Sequence, residues 1–154
     1  MDGEALTEAV IAMEPAAAKR EHASRPAVHV PPEKLAALAI RLRDEPALAF
    51  DMLLDHTAID WIAQERFELV YTLYSTVHGH YLMVTTTVPR ATPVVPTLAA
   101  VWPIAHWQER EVFDLMGIQY DNHPDLRRLF LEDEWQGYPL RKDYKDDYVL
   151  GLPK

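Results

Sequence analysis

The chain has 154 residues, a net charge of −9 and no cysteine. That length supports one domain with its own core, and the lack of Cys excludes disulfides, thiolate catalysis, Fe–S ligation and cysteine-based zinc sites. The acidic balance disfavours non-specific attraction to nucleic acid or anionic lipid, and no apolar run approaches the ~20 residues that span a bilayer.

In chain order, residues 4–20 begin as a helix with Leu6, Val10 and Met13 on one face, and Pro15 ends or kinks it. The opening MDGEALTEAV has acids and no basic n-region, so no secretory signal is expected. Residues 21–26 read as a linker and 27–30 as a short strand. PEKLAALAIRLRDE predicts a helix with Pro32 at its start; Leu35, Leu38, Ala39 and Leu42 form its apolar stripe, and Pro46 stops it. Three strand-like runs follow at 50–60, 66–76 and 80–89. The last two are joined by Val77-His78-Gly79, which predicts an antiparallel hairpin. Residues 90–96 read as a loop. Thr97 is placed to cap a helix beginning LAAVW, and Pro103 divides it from a second helix that Gly117 closes. The expectation is a single α+β domain. It has N-terminal helices, an antiparallel sheet with a central hairpin, a helix pair after the sheet and an extended irregular C-terminal tail. Residues 1–25 form a helical extension and linker, 26–130 the α+β domain, and 131–154 the docking tail.

The segment WQEREVFDLMGIQYDNHPDLRRLF (107–130) mixes charged and large apolar residues densely. No nucleotide-binding G-x-G-x-x-G or G-x-x-x-x-G-K-[ST] accompanies it. His106, Glu109 and His123 have the residue types of a metal set in a small metalloenzyme, but the H-E-x-x-H spacing that puts two imidazoles one turn apart is missing. Arg110 and Asp114 are four apart and can pair along a helix, an exposed interaction of ~0.3–0.5 kcal/mol. Trp102 and Trp107 would point to opposite sides of one ideal helix unless Pro103 reorients them. The third reading is an interface. Trp, Tyr and Arg recur from here to Tyr148, and these types are enriched at binding hot spots. Arginines such as Arg127 and Arg128 suit bidentate contacts to carboxylates.

EREVFDLMGIQYDNHPDLRRL (109–129), followed by EWQGYPLRKDY (134–144), resembles the signature of the thirty-kilodalton subunit family of respiratory complex I, the C subunit of proton-pumping NADH:quinone oxidoreductase. Weaker similarity runs back to about residue 26. His106 stands where Asn is frequent in that pattern, Asn122 where Gly is, Phe130 where an aliphatic is, and Lys145 where Pro is. The resemblance implies a non-catalytic protein that holds no cofactor. It would brace the quinone-reducing D subunit, a hydrogenase-large-subunit-like partner, beside neighbouring Fe–S subunits. FMN, Fe–S clusters and quinone then belong to the partners. The resemblance further implies a peripheral place on the cytoplasmic side of a bacterial inner membrane. Membrane-bound hydrogenases and formate hydrogenlyase carry related subunits. The docking residues expected from the matching blocks are Glu109, Arg110, Glu111, Asp114, His123, Asp125, Arg127, Arg128, Trp135, Tyr138, Arg141, Lys142, Asp143 and Tyr144. The tail scatters its apolar residues among charges, so it is expected to fall short of an ordering cost of ~1–2 kcal/mol per residue. It should be mobile in the free protein and ordered in the complex, with Trp135 and Tyr138 as anchors and Arg141 and Asp143 as clamps.

Overall fold

The Asp2 carboxylate accepts the Ala5 N–H at 2.9 Å and starts helix α1 (Gly3–Met13). Leu6 and Val10 of α1 are buried in the main core. The structure, a computed structural model, describes residues 1–146; Tyr148, Val149, Leu150 and Leu152 of the expected tail lie outside the described residues. After α1 the chain forms β1 (Ala18–Lys19), β2 (Ala27–His29) and α2 (Pro32–Asp44). Pro32 opens α2, Glu33 lies in its first turn and Arg41 and Arg43 in its last, as the helix dipole favours. The expectation of a separate extension over residues 1–25 is therefore corrected. Its apolar face packs into the domain, and β1 adds a strand to the sheet.

Strands β3 (Met52–Trp61), β4 (Arg66–Tyr74) and β5 (Tyr81–Pro89) form an antiparallel meander. The β4–β5 hairpin turns at Gly79, whose φ of 67° suits glycine. The sheet order is β1-β2-β5-β4-β3, and β2 lies parallel to β5. The sheet is thus mixed where an antiparallel one was expected. The cause is α2: a helical crossover returns the chain in the original direction, so β2 and β3 run parallel and the hairpin inserts between them. Phe67, Leu69, Tyr71 and Leu73 alternate into one core with Leu35, Leu38 and Leu42 of α2.

Beyond the sheet come β6 (Val94–Pro96), α3 (Ala105–Met116) and β7 (Gln119–Asp121). β6 and β7 pair in parallel through a stretch that reads as loop in the sequence. The expected helix pair reduces to α3 alone. Residues 98–102 make only a turn, in which Val101 and Trp102 N–H both donate to the Leu98 carbonyl at 2.9 and 3.0 Å. Thr97 caps that turn by accepting the Ala99 N–H. The two tryptophans consequently sit on different elements. Trp102 is buried and donates to the Phe50 carbonyl at 2.9 Å, whereas Trp107 lies on the outer side of α3.

Because α1 is core, Leu6→Ala should cost ~2–5 kcal/mol, the range for emptying a buried leucine site. Urea denaturation of the full chain checks this; a change below ~0.5 kcal/mol would restore the extension reading.

Candidate docking platform

The buried side of α3 carries charge. Glu109 and Asp114 have no exposed surface, and Arg110 is 3% exposed. Such groups need partners, because an unpaired charge in a core is costly. Asp114 Oδ2 accepts the backbone N–H groups of Leu129, Phe130 and Leu131 at 3.1, 2.7 and 3.0 Å. Its Oδ1 accepts Arg128 Nη1 at 2.9 Å. Burial opposes ionisation, but these N–H groups and the guanidinium outweigh it and hold Asp114 below the usual carboxylate range. Arg128 also donates to the carbonyls of Asp114, Trp135 and Gly137. Arg110 donates to the carbonyls of Arg127 and Arg128, both at 3.1 Å. The expected pairing of Arg110 with Asp114 is corrected: each serves the loop that wraps the end of α3.

The tail continues this wrapping. Gly117 closes α3 at φ 74°, and a Cβ there would lie 2.5 Å from a Tyr138 ring carbon and 2.7 Å from Arg141. Leu140 N–H donates to the Leu115 carbonyl at 2.9 Å and Arg141 Nε to the Met116 carbonyl at 2.7 Å. The Arg141 guanidinium lies over the Tyr138 and Phe67 rings at 4.8 and 5.1 Å. Asp60, buried on β3, accepts Arg90 Nε and Nη2 at 2.8 and 2.9 Å and the Lys142 N–H at 2.9 Å. Arg90, foremost, keeps Asp60 below its ordinary range. Arg90 then reaches Asp143 at 2.7 Å, and the Tyr144 hydroxyl donates to Asp146 at 2.8 Å. The tail is irregular, as expected, and through Asp146 it lies against its own domain. Hydrogen bonds to α3 and β3, more than apolar burial, tie it down. Trp135 and Tyr138 are half-buried on their own domain.

A second polar cluster lies one turn earlier. Glu109 accepts the Thr97 hydroxyl and, at 2.7 Å, the Leu98 N–H. Burial raises its carboxyl to about 7 against the pull of these donors. His123 Nδ1 accepts the Asp125 N–H at 3.0 Å, so its Nε2–H donates to the His106 carbonyl, also at 3.0 Å. Both ring nitrogens are thereby engaged, and burial, foremost, lowers the pKa of this imidazole. The His106 and His123 rings lie 4.9 Å apart between centroids, tilted by 43°, and His123 Nε2 is 3.8 Å from Glu109. The three residues of the metal reading do come together; the Glu109 carboxylate and both His123 nitrogens are engaged within the chain, whereas the buried His106 Nδ1 has no hydrogen-bond partner among the described residues. Among the described residues no group of three or more His, Cys, Asp or Glu is placed to hold a metal ion. Asn122, where Gly is frequent in the resembling pattern, has φ 64°, a conformation Asn tolerates better than most residues.

Of the expected docking residues, Glu109, Arg110, Asp114, His123 and Arg128 are internal braces, whereas Glu111, Arg127 and Lys142 are exposed. Asp125 is partly exposed and holds Arg127 Nε at 3.0 Å. Four large apolar side chains stand outward from this braced surface: Ile104 at 46% exposure, Trp107 at 52%, Phe130 at 65% and Leu140 at 59%. None of the four is among the docking residues expected from the sequence. Ile104, Trp107 and Glu111 sit at helical spacing on one side of α3, a signal that could have been read. Phe130 and Leu140 are set outward by backbone bonds to Asp114 and Leu115, which no spacing reveals.

Fold and site define a class: a small mixed-sheet α+β domain whose buried charges brace a C-terminal wrap. Residues 28–148 match the family described as respiratory-chain NADH dehydrogenase, 30 Kd subunit, and the chain belongs to that family. The NADH-quinone oxidoreductase C subunit of Moorella thermoacetica is 43% identical over 126 residues, 82% of this chain and 84% of that protein. A chain from the membrane-bound sulfane sulfur reductase, an archaeal respiratory membrane complex, superposes with a TM-score of 0.81 at 26% identity, covering 96% of this chain and 88% of that one. The trypsin-resistant fragment of Nqo5 gives 0.65 at 28% identity, over 80% and 98% of the two chains. Among the described residues no helix is long and apolar enough to cross a membrane.

Asp114→Asn should destabilise the chain by ~3–5 kcal/mol, the cost of breaking a buried charged network. The acid limb should flatten too. A depressed carboxyl contributes stability that is present above its unfolded value of ~4 and lost as pH falls through the folded value. Thermal melts of both proteins between neutral and acid pH measure the two effects; equal Tm and equal acid limbs would contradict the assignment.

Proposed function

We propose that the chain is a non-catalytic structural component in the hydrophilic arm of a proton-pumping NADH:quinone oxidoreductase. It is peripheral, on the cytoplasmic side of a bacterial inner membrane. It braces the quinone-reducing, hydrogenase-large-subunit-like D subunit and neighbouring Fe–S subunits. Those partners hold the FMN, Fe–S clusters and quinone, and this chain itself carries no cofactor. One observation carries this reading beside family membership. The charges of α3 are committed to the chain's own backbone, while Ile104, Trp107, Phe130 and Leu140 stand exposed on that braced surface. A rigid surface bearing aromatic anchors loses little freedom on association. Arg127, Glu111 and Lys142 supply the polar rim in this reading. Trp135, Tyr138, Arg141, Asp143 and Tyr144 act by fixing the wrap that presents it.

A second reading is the equivalent component of a membrane-bound hydrogenase or formate hydrogenlyase; the overlap with a chain of the archaeal sulfane sulfur reductase over 96% of this chain supports only that the fold also serves another respiratory membrane complex. The higher identity to the Moorella protein, 43%, favours the first. Affinity purification of the tagged chain from its own cells separates them. NADH- and flavin-binding partners support the first reading, and a hydrogenase-type large subunit with intact nickel-ligand cysteines supports the second.

In the same assay, Trp107→Ala combined with Phe130→Ala should reduce recovery of the partner proteins at least tenfold, since a hot-spot anchor contributes ~2 kcal/mol or more. The Tm of the free chain should stay within ~2 °C, because exposed side chains contribute little to folding. Full recovery of partners by the double variant would refute the docking stripe.

A further inference from the structure

We propose that Glu109 is a proton-binding switch: protonated, it clasps residues 97–103 against α3, and ionised, it releases that turn and reshapes the groove beside it. Two carboxylates share the inner side of α3 and have opposite surroundings. Asp114 has three backbone donors and a guanidinium. Glu109, equally buried, has among the described residues only the Thr97 hydroxyl and the Leu98 N–H as donors.

Among the described residues no arginine or lysine faces it from a packed element. On its own helix, Arg110 is turned to the carbonyls of Arg127 and Arg128, and the His106 carbonyl is taken by His123. After β7, His123 is fixed as the neutral tautomer with Nε2 3.8 Å away, its Nδ1 occupied by the Asp125 N–H. From β4 and β7, Tyr71 and Tyr120 feel the Glu109 charge, and burial drives both hydroxyls well above their ordinary range, so they stay neutral. Behind Tyr120, His56 Nε2 accepts the Tyr120 hydroxyl at 2.6 Å and its Nδ1–H goes to the Val70 carbonyl at 3.1 Å. Burial lowers His56 to about 4, which removes it as a counter-ion.

Ionising Glu109 therefore leaves a buried charge with two donors. Relief comes by admitting water or by a second protonation at His123, and that protonation would oppose the Asp125 N–H at Nδ1. Both routes disturb the same walls. Thr97, Ala99, Pro103, His106, Asn122 and Pro124 line a groove of about 530 Å³; Glu109 touches that lining through Thr97, and His123 adjoins it through His106, with ring centroids 4.9 Å apart. The sign follows from linkage. A carboxyl raised from 4.5 to about 7 contributes stability that is full below its unfolded value and lost as pH rises through about 7.

Hydrogen exchange of the full chain at pH 6 and pH 8, corrected for intrinsic rates, tests this. In the wild type, amides of residues 97–103 should exchange at least tenfold faster at pH 8, while β4 stays unchanged. Glu109→Gln keeps the neutral shape and should hold the slow rate at both pH values. Thr97→Val removes a donor to the ionised form and should move the wild-type transition to higher pH. A wild type with no pH dependence, a Glu109→Gln variant that keeps it, or an unmoved transition in Thr97→Val would each overturn the proposal.

Discussion

One carboxylate organises the part of this molecule that concerns its function. Asp114 projects from the inner side of α3 into a loop that follows in sequence, and three consecutive N–H groups of that loop converge on one of its oxygens. Amides aimed at one point fix the backbone that carries them. Arg128, bound to the other oxygen, passes the constraint to Trp135 and Gly137 through their carbonyls. From there the chain closes over Gly117, Arg141 stacks on Tyr138, and Asp60 and Arg90 secure Lys142 and Asp143.

The fold beneath supplies a rigid base. α3 packs on edge strand β3, and the same strand carries Asp60. The wrap is thus anchored at one end to α3 and at the other to β3, the strand on which α3 packs. Phe130 and Leu140 point outward where their backbone N–H groups make the attachments, to Asp114 and to Leu115. Polar bonding inside and apolar display outside are two consequences of one geometry.

Much of the fold was legible. Periodicity located α2 and the β4–β5 hairpin, and Pro15, Pro46 and Gly117 marked helix ends near where they occur. The parallel placement of β2 was hidden, since a three-residue strand does not disclose its partner. The LAAVW helix failed because its run is too short to repay nucleation before Pro103 interrupts it. At the site, residue types were informative and roles were not. Arg110 and Asp114 satisfy a helical pairing rule, yet both find better partners in a loop 14 to 18 residues away in sequence. The contacts of the tail were hidden for the same reason. Counting apolar residues undervalues a segment held by buried charges to backbone amides and carbonyls.

The central claim is that buried charges of α3 and β3 hold the wrap in the free chain, before any partner arrives. Hydrogen exchange at residues 137–144 of the isolated chain tests it most directly. Slow exchange there, lost in Asp114→Asn, is the predicted result. Exchange at unprotected rates in the isolated wild type, slowed only when partner proteins are added, would contradict it.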